Sequence, residues 1–352
     1  MGRKRRRKSS RVIPAVTAVC VLAAAAFGGF MLYLDNGGKA VEPGSAAAVN
    51  VTIPSGAGTG KIAAILLEKG VIGSETVFKL QSRTKGTDGK YKAGEYALSP
   101  GMSMSEIMDV LVAGKVNTMR FTIPEGYTVK QTRDKLAAEG LINGEAFDQE
   151  ASSGQFDYRF LKDLPPGKNR LEGYLYPETY DVFTTASEKD IINRMLSQFD
   201  KVFTDRDYDR AEELELSINQ VVTIASMIER ETMVDSERAK VASVIYNRLK
   251  KGQKLQIDAT VQYALGKQKD RLLYKDLEVD SPYNTYKIAG LPPGPICSPG
   301  AESIKAALYP DDTDYYYYVL KPELNGEHNF AKTDSEFQKY KNQYIKAIND
   351  AG

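Results

Sequence analysis

Histidine is almost missing from this sequence: His328, in the stretch EHNF, is the only one. A Ser-His-Asp triad or a histidine-rich metal site needs imidazole at defined positions, and one late histidine does not supply it. Cysteine is nearly as scarce. Cys20 lies inside an apolar run and Cys297 far outside it, so the two cannot pair and no disulfide is expected to hold the fold. A surplus of positive charge is lacking as well. Seven of the 47 basic residues sit in MGRKRRRKSSR, residues 1 to 11, and taking those seven from 47 leaves 40 against 46 Asp plus Glu. A mildly acidic body behind a short basic tail argues against nucleic acid as the main partner. No metal site and no cofactor are expected; carboxylate chemistry is what remains.

What is present is a chain of 352 residues, long enough for two domains, with the 42% hydrophobic and 26% charged content of a globular protein. After the basic tail comes VIPAVTAVCVLAAAAFGGFMLYL, residues 12 to 34, with no charged residue. At about 1.5 Å per residue such a helix spans roughly the 30 Å hydrocarbon core of a bilayer. Basic residues before it and Asp35 after it predict a single-pass membrane helix with a cytoplasmic N-terminus and an extracytoplasmic body. A cleaved signal peptide is the rival reading, but its apolar core usually runs about 7–15 residues to a small-residue cleavage site. This run is longer and ends MLYLDNGG.

Residues 35 to 49, DNGGKAVEPGSAAAV, read as a linker. A pattern then recurs about 70 residues apart: VTIPSGAGTGKIAAILLEKGVIGSETVF at 51 to 78 and FTIPEGYTVKQTRDKLAAEGLINGEAF at 121 to 147. Each copy predicts a short strand, a turn and an amphipathic helix closed by glycine. Residues 50 to 118 are expected to form a small α+β module, and 119 to 348 a second, mainly helical domain. In that second domain Ser217 and Gln220 form a capping box for a helix to about 233. Asp235 is placed to cap a helix over 236 to 250, and another helix covers 258 to 265. The long stiff loop YNTYKIAGLPPGPICSPG, 283 to 300, is of a kind usually reserved for function. The tyrosine run at 315 to 318 suits a buried strand, and Thr333 with Glu336 boxes a final helix.

Within TIASMIERET, 223 to 232, two carboxylates lie one residue apart. At about 100° per residue Val221, Ile224, Ala225, Ile228 and Thr232 form one stripe, with Glu229 and Glu231 on opposite flanks. Glu231 has Met227 and Ile228 one turn back, whereas Glu229 has Ala225 and Ser226. A carboxyl among apolar neighbours holds its proton nearer neutral pH, as a general acid must. This favours Glu231 slightly, while surface pairing with Arg230 or Arg238 accounts for either residue.

Several long motifs in order carry a resemblance to the endolytic murein transglycosylase family. They are LEGYLYPETY (171 to 180), TIASMIERET, ERAKVASVIYNRLKKGQKLQIDATVQYALG (237 to 266), the 283 to 300 loop and the tyrosine strand with HNF. The resemblance implies an α+β fold in three parts: an N-terminal transmembrane helix, a small LysM-like module and a mainly helical, lysozyme-like catalytic domain with a few strands. It implies cleavage of the MurNAc–GlcNAc bond within peptidoglycan strands, with Glu231, followed by Thr232, as the catalytic acid. Glu229, Glu172 and Thr232 become supporting residues. Gln256, Asp258, Thr260, Tyr283, Asn284 and Tyr286 become candidate sugar contacts, with helix capping the equal alternative for Asp258 and core packing the alternative for Glu172, Tyr174 and Tyr176. The implied partners are peptidoglycan, the membrane and wall-synthesis proteins such as penicillin-binding proteins. A non-enzymatic wall-binding scaffold is the main rival. A pyridoxal-phosphate lyase is disfavoured because no glycine-rich phosphate motif follows a strand.

Overall fold

The computed structural model describes residues 12–45, 49–114, 118–184, 186–269 and 272–351, with the side chains of the first helix described from residue 25. The chain divides into two compact units, residues 1–119 with 183–185, and residues 120–182 with 186–352.

The first unit runs α1 (Val12–Gly37), β1 (Val49–Ile53), α2 (Thr59–Glu68), α3 (Glu75–Lys85), β2 (Gly94–Leu98) and α4 (Met104–Ala113). Strands β1 and β2 pair antiparallel, with Val51 opposite Tyr96. Inward residues of the two strands and the apolar faces of α2, α3 and α4 close one core around Val51, Leu66, Phe78, Leu98 and Ile107. Leu34, near the end of α1, is buried in the same core, and the Gln81 side-chain amide of α3 donates to its carbonyl at 2.8 Å. Among the described residues no helix is long and apolar enough to cross a membrane. The basic tail, and the side chains of the first half of the expected span, lie outside those residues.

Next come β3 (Thr118–Thr122), α5 (Val129–Ala138), α6 (Gly144–Ser153) and β4 (Thr179–Phe183), with β3 and β4 paired and most of their residues in the second unit. The recurring sequence pattern is thus a recurring strand–helix–helix path. Gly56 and Gly126 turn the chain after each strand at φ 74° and 76°, and Gly70 and Gly140 end the first helix of each copy at φ 70° and 72°. All four need the left-handed region that glycine occupies without penalty.

Then follow α7 (Glu188–Val202), α8 (Asp205–Glu213), α9 (Ile218–Glu231), α10 (Arg238–Lys250), α11 (Asp258–Leu265), α12 (Ala301–Leu308), β5 (Tyr317–Leu320), β6 (His328–Ala331) and α13 (Asp334–Ala351). Helix α9 is packed by α8, α10, α11 and α12. Its residues 221 to 228 are all buried, so the expected single apolar stripe is corrected to burial on every side, as for a helix at the centre of a helical layer. The hydroxyls within it are satisfied locally: Thr223 donates to the Asn219 carbonyl at 2.6 Å and Ser226 to the Thr223 carbonyl at 2.8 Å. Asp235 does not cap α10. Residues Asp235–Glu237 form a turn of 3₁₀ helix, Glu237 is the cap position, and the Asp235 carboxylate takes the Arg238 guanidinium instead. The tyrosine strand is half-buried rather than buried, because β5 and β6 form a two-stranded ribbon covered by α13.

Candidate active site

The Ser217–Gln220 box starts α9 in its helical path, and the helix ends on Glu231 as Thr232 turns extended at φ −115°. The half-buried Glu231 carboxylate meets residues from two other elements. Its Oε2 accepts the phenol of Tyr318, on β5, at 3.0 Å, and the backbone N–H of Ala259, at the start of α11, also donates to it. Burial pushes the Glu231 pKa up to about 7 and the nearby Asp258 charge adds to the rise, against the Tyr318 and Ala259 hydrogen bonds and Arg230. Burial, and then the Glu231 charge, raise the Tyr318 phenol well above its ordinary value, so it stays a neutral donor. Tyr286, from the long loop, donates to Asp258 Oδ1 at 2.5 Å.

Glu229 has a different setting. Its side chain is 8% exposed and its Oε2 accepts from Arg238 at 3.3 Å and from the Gly300 amide, just ahead of α12, at 3.0 Å. The same guanidinium also reaches Ser303 and Asp235. This is a buried tie among α9, α10 and α12, not an exposed surface pair, and it occupies both groups. The two glutamates therefore differ as a committed ion-pair member differs from a carboxyl with a raised pKa.

The other sequence-derived candidates divide by what their polar atoms already do. Asp258 is exposed and is the first residue of α11; Ile257 is the cap position and no side chain caps that helix, so the capping alternative for Asp258 falls. Gln256 is exposed at φ 52°, its backbone held by the Thr285 carbonyl. Thr260 is fully buried and donates to the Ile257 carbonyl, and Asn284, also fully buried, donates both amide hydrogens to Leu277 and Val279 carbonyls. Those two side chains fix the α11 start and the loop. Thr232 is buried beside Glu231, its hydroxyl without a hydrogen-bond partner among the described residues. Tyr174 is fully buried and stacks on Phe160, and Tyr176 is buried as well.

Glu172 and Tyr283 line a separate part of the same unit, a cavity of about 1030 Å³ walled by α5, α11 and the start of the long loop. Ala259 belongs to that wall, and so does Arg230, the chain neighbour of Glu231. Glu172 is 4% exposed, accepts from Val129 N at 3.0 Å and Tyr263 Oη at 3.1 Å, and is driven up to about 7 by burial, against those bonds and one from Gly173.

Sequence reasoning missed Tyr318 and Tyr263. The first lay in a run of four tyrosines that predicted only a strand, and the register that sets which of the four faces Glu231 comes from β6: Tyr318 sits opposite Phe330. His328, two residues from Phe330, packs its ring edge-on to Tyr318 and is gripped by Glu237 at 2.8 Å.

A carboxyl with a raised pKa at the end of a buried helix, held by a neutral phenol, has the properties that general acid catalysis asks for. Residues 51–343 match the model of the YceG-like family, and the chain belongs to that family. It is 39% identical over 335 residues to the endolytic murein transglycosylase of Bacillus subtilis strain 168, covering 92% of both chains. It is 30% identical to the endolytic murein transglycosylase of Streptococcus pneumoniae D39, covering 88% of this chain and 60% of that protein. A crystal structure of a YceG-like protein from Listeria monocytogenes superposes with a TM-score of 0.56 at 36% identity, over 84% of this chain and 99% of that one.

Proposed function

We propose that this protein is a membrane-anchored lytic transglycosylase that cuts within peptidoglycan strands, with Glu231 acting first as general acid and then as general base. The observation that carries the reading is the Glu231 carboxyl itself, pushed up to about 7 by burial and so able to hold a proton near neutral pH.

In the first step the protonated carboxyl gives its proton to the oxygen bridging N-acetylmuramic acid and N-acetylglucosamine, and the C1–O bond breaks. The departing sugar leaves with a hydroxyl, and the 2-acetamido group supports the positive charge at C1. In the second step the ionised carboxylate removes the proton of the same muramoyl residue's 6-hydroxyl, whose oxygen bonds to C1 and closes a 1,6-anhydro ring. No water is consumed and Glu231 ends protonated, as it began. The nucleophile is tethered to the ring it attacks, so its effective concentration is high without a second carboxylate to position it. The Tyr318 phenol and the Ala259 amide hold the carboxylate in its charged interval.

Residues 12 to 34 serve as the anchor, with the body outside the cytoplasm, and residues 50 to 118 form a LysM-like module. Such cuts limit glycan length beside the wall-synthesis enzymes, penicillin-binding proteins among them.

The test is incubation of purified peptidoglycan with the full chain and with Glu231→Gln, followed by mass spectrometry of the new chain ends. Anhydro ends from the first and none from the second are expected. Reducing ends would instead make the protein a hydrolase, a second reading that Asp258 favours by lying close enough to raise the Glu231 pKa. No new ends from either protein would return the scaffold reading.

A further inference from the structure

The cavity lined by Glu172 has a charge pattern that the glycan backbone does not call for. Lys130, Arg133, Lys168, Arg230 and Lys267 all contribute to its lining, against two carboxyl groups, Asp148 and Glu172. Asp148 is taken by Arg133 at 2.5 Å. Glu172, pushed up to about 7, is half neutral near neutral pH. Lys130 is paired with Asp134, outside the lining, but Lys168 and Lys267 are exposed and have no ion-pair partner among the described residues. Arg230 is met by a neutral amide, Gln268 Oε1, at 2.6 Å. The cavity thus presents several cations not balanced from within, in a concave site where their fields add. Its remaining walls carry side-chain amides from Gln131, Gln149, Asn169 and Gln262, which suit peptide groups.

N-acetylglucosamine is uncharged, and in an intact strand the lactyl carboxyl of N-acetylmuramic acid is tied up in an amide to the peptide stem. The negative charges of the polymer are the carboxylates of those stems. We propose that this cavity is a subsite for the carboxylate-bearing peptide stem of a muramoyl residue next to the bond being cut. The inference rests on the peptidoglycan reading above and gives it a specificity element. Geometry supports the link to the reaction: Ala259 lines the cavity while its N–H holds the Glu231 carboxylate, and Arg230 is in the lining one residue before Glu231. A stem seated there shares the Ala259 wall with the Glu231 carboxyl.

The experiment is equilibrium binding to the full chain carrying Glu231→Gln, so that no cleavage intervenes, using a soluble muramyl tetrapeptide with free carboxylates and N-acetylmuramic acid amide without a peptide. The peptide-bearing ligand is expected to bind at least about tenfold tighter. Adding Lys168→Glu and Lys267→Glu should remove that advantage, while Lys168→Ala with Lys267→Ala should reduce it in part, and raising the salt should weaken the peptide-bearing ligand selectively. Equal affinity for the two ligands, or an advantage that survives charge reversal in a protein with an unchanged unfolding transition, overturns the subsite. These outcomes are read without cleavage, so they are separate from a failure to find anhydro ends.

Discussion

Replacing Tyr318 by Phe removes one hydrogen bond and almost no volume, and it tests how the reactive carboxyl is tuned. The phenol donates to Glu231 Oε2 at 3.0 Å and lowers a pKa that burial has raised to about 7. A hydrogen bond to a charged group is worth about 1.5–3 kcal/mol, and about 1.4 kcal/mol corresponds to one pKa unit, so its loss should raise the Glu231 pKa by roughly 1–2 units. The general acid works protonated, so kcat/KM of the wild type should fall as pH rises through about 7. In Tyr318→Phe that alkaline limb should move to higher pH by the same roughly 1–2 units, while the maximal rate drops because the conjugate base is less well held. The assay is the initial rate of anhydro-end formation on purified strands between pH 4 and 10, with both proteins of verified fold. An alkaline limb that stays in place or moves to lower pH would refute the assignment of that limb to Glu231 and of Tyr318 as its donor. The phenol itself titrates too high to produce the limb.

Three further outcomes follow from the packing. Glu172 is 4% exposed with a pKa raised from 4.5 to about 7, so the folded state keeps a proton that the unfolded chain has lost; its contribution is intact below pH 4.5 and is lost as pH rises to about 7, by about 3 kcal/mol. Chemical denaturation of Glu172→Gln should therefore show a shallower loss of stability over that interval than the wild type, and identical slopes would oppose the assignment. Glu229→Gln leaves the buried Arg238 without its partner on α9 and should destabilise by about 3 kcal/mol, seen as a lower denaturant midpoint; an unchanged midpoint would mean the pair is not buried in solution. Gly173→Ala asks for φ 89° and places a Cβ 2.6 Å from Pro295 Cβ and 2.7 Å from Val222 Cγ1, which should cost about 3 kcal/mol or prevent soluble expression; a wild-type Tm would show that the loop yields.

The residues that were legible in the sequence are those whose role is decided locally. The Ser217–Gln220 box, the Thr333–Glu336 box and the end of α11 at Gly266 are each set by neighbours within one turn, and each stands where the pattern put it. The repeated strand–turn–helix was legible because glycine marks the same two backbone turns in both copies. The contrast between Glu229 and Glu231 was visible only as a tilt, because their fates depend on partners far along the chain: Arg238 and Gly300 for one, Tyr318 and Ala259 for the other. The basic cavity was invisible, since its cations come from residues 130 to 267 and no spacing joins them. The same holds for Thr260 and Asn284, polar residues that read as sugar contacts but whose hydrogen bonds are spent inside the fold.

The two-stranded ribbon of Tyr317–Leu320 and His328–Ala331 contributes its reach more than its size. Tyr318 is separated from Glu231 by 87 residues, yet their oxygens meet because the ribbon rests on α13 and the Glu237 carboxylate clamps the imidazole packed against the phenol. The tuning of the Glu231 carboxyl therefore depends on elements far along the chain from the helix that carries it. A molecule whose α13 has not yet docked would carry Glu231 at the end of its helix without the phenol donor, so the carboxyl reaches its final setting only once the ribbon has closed on that helix.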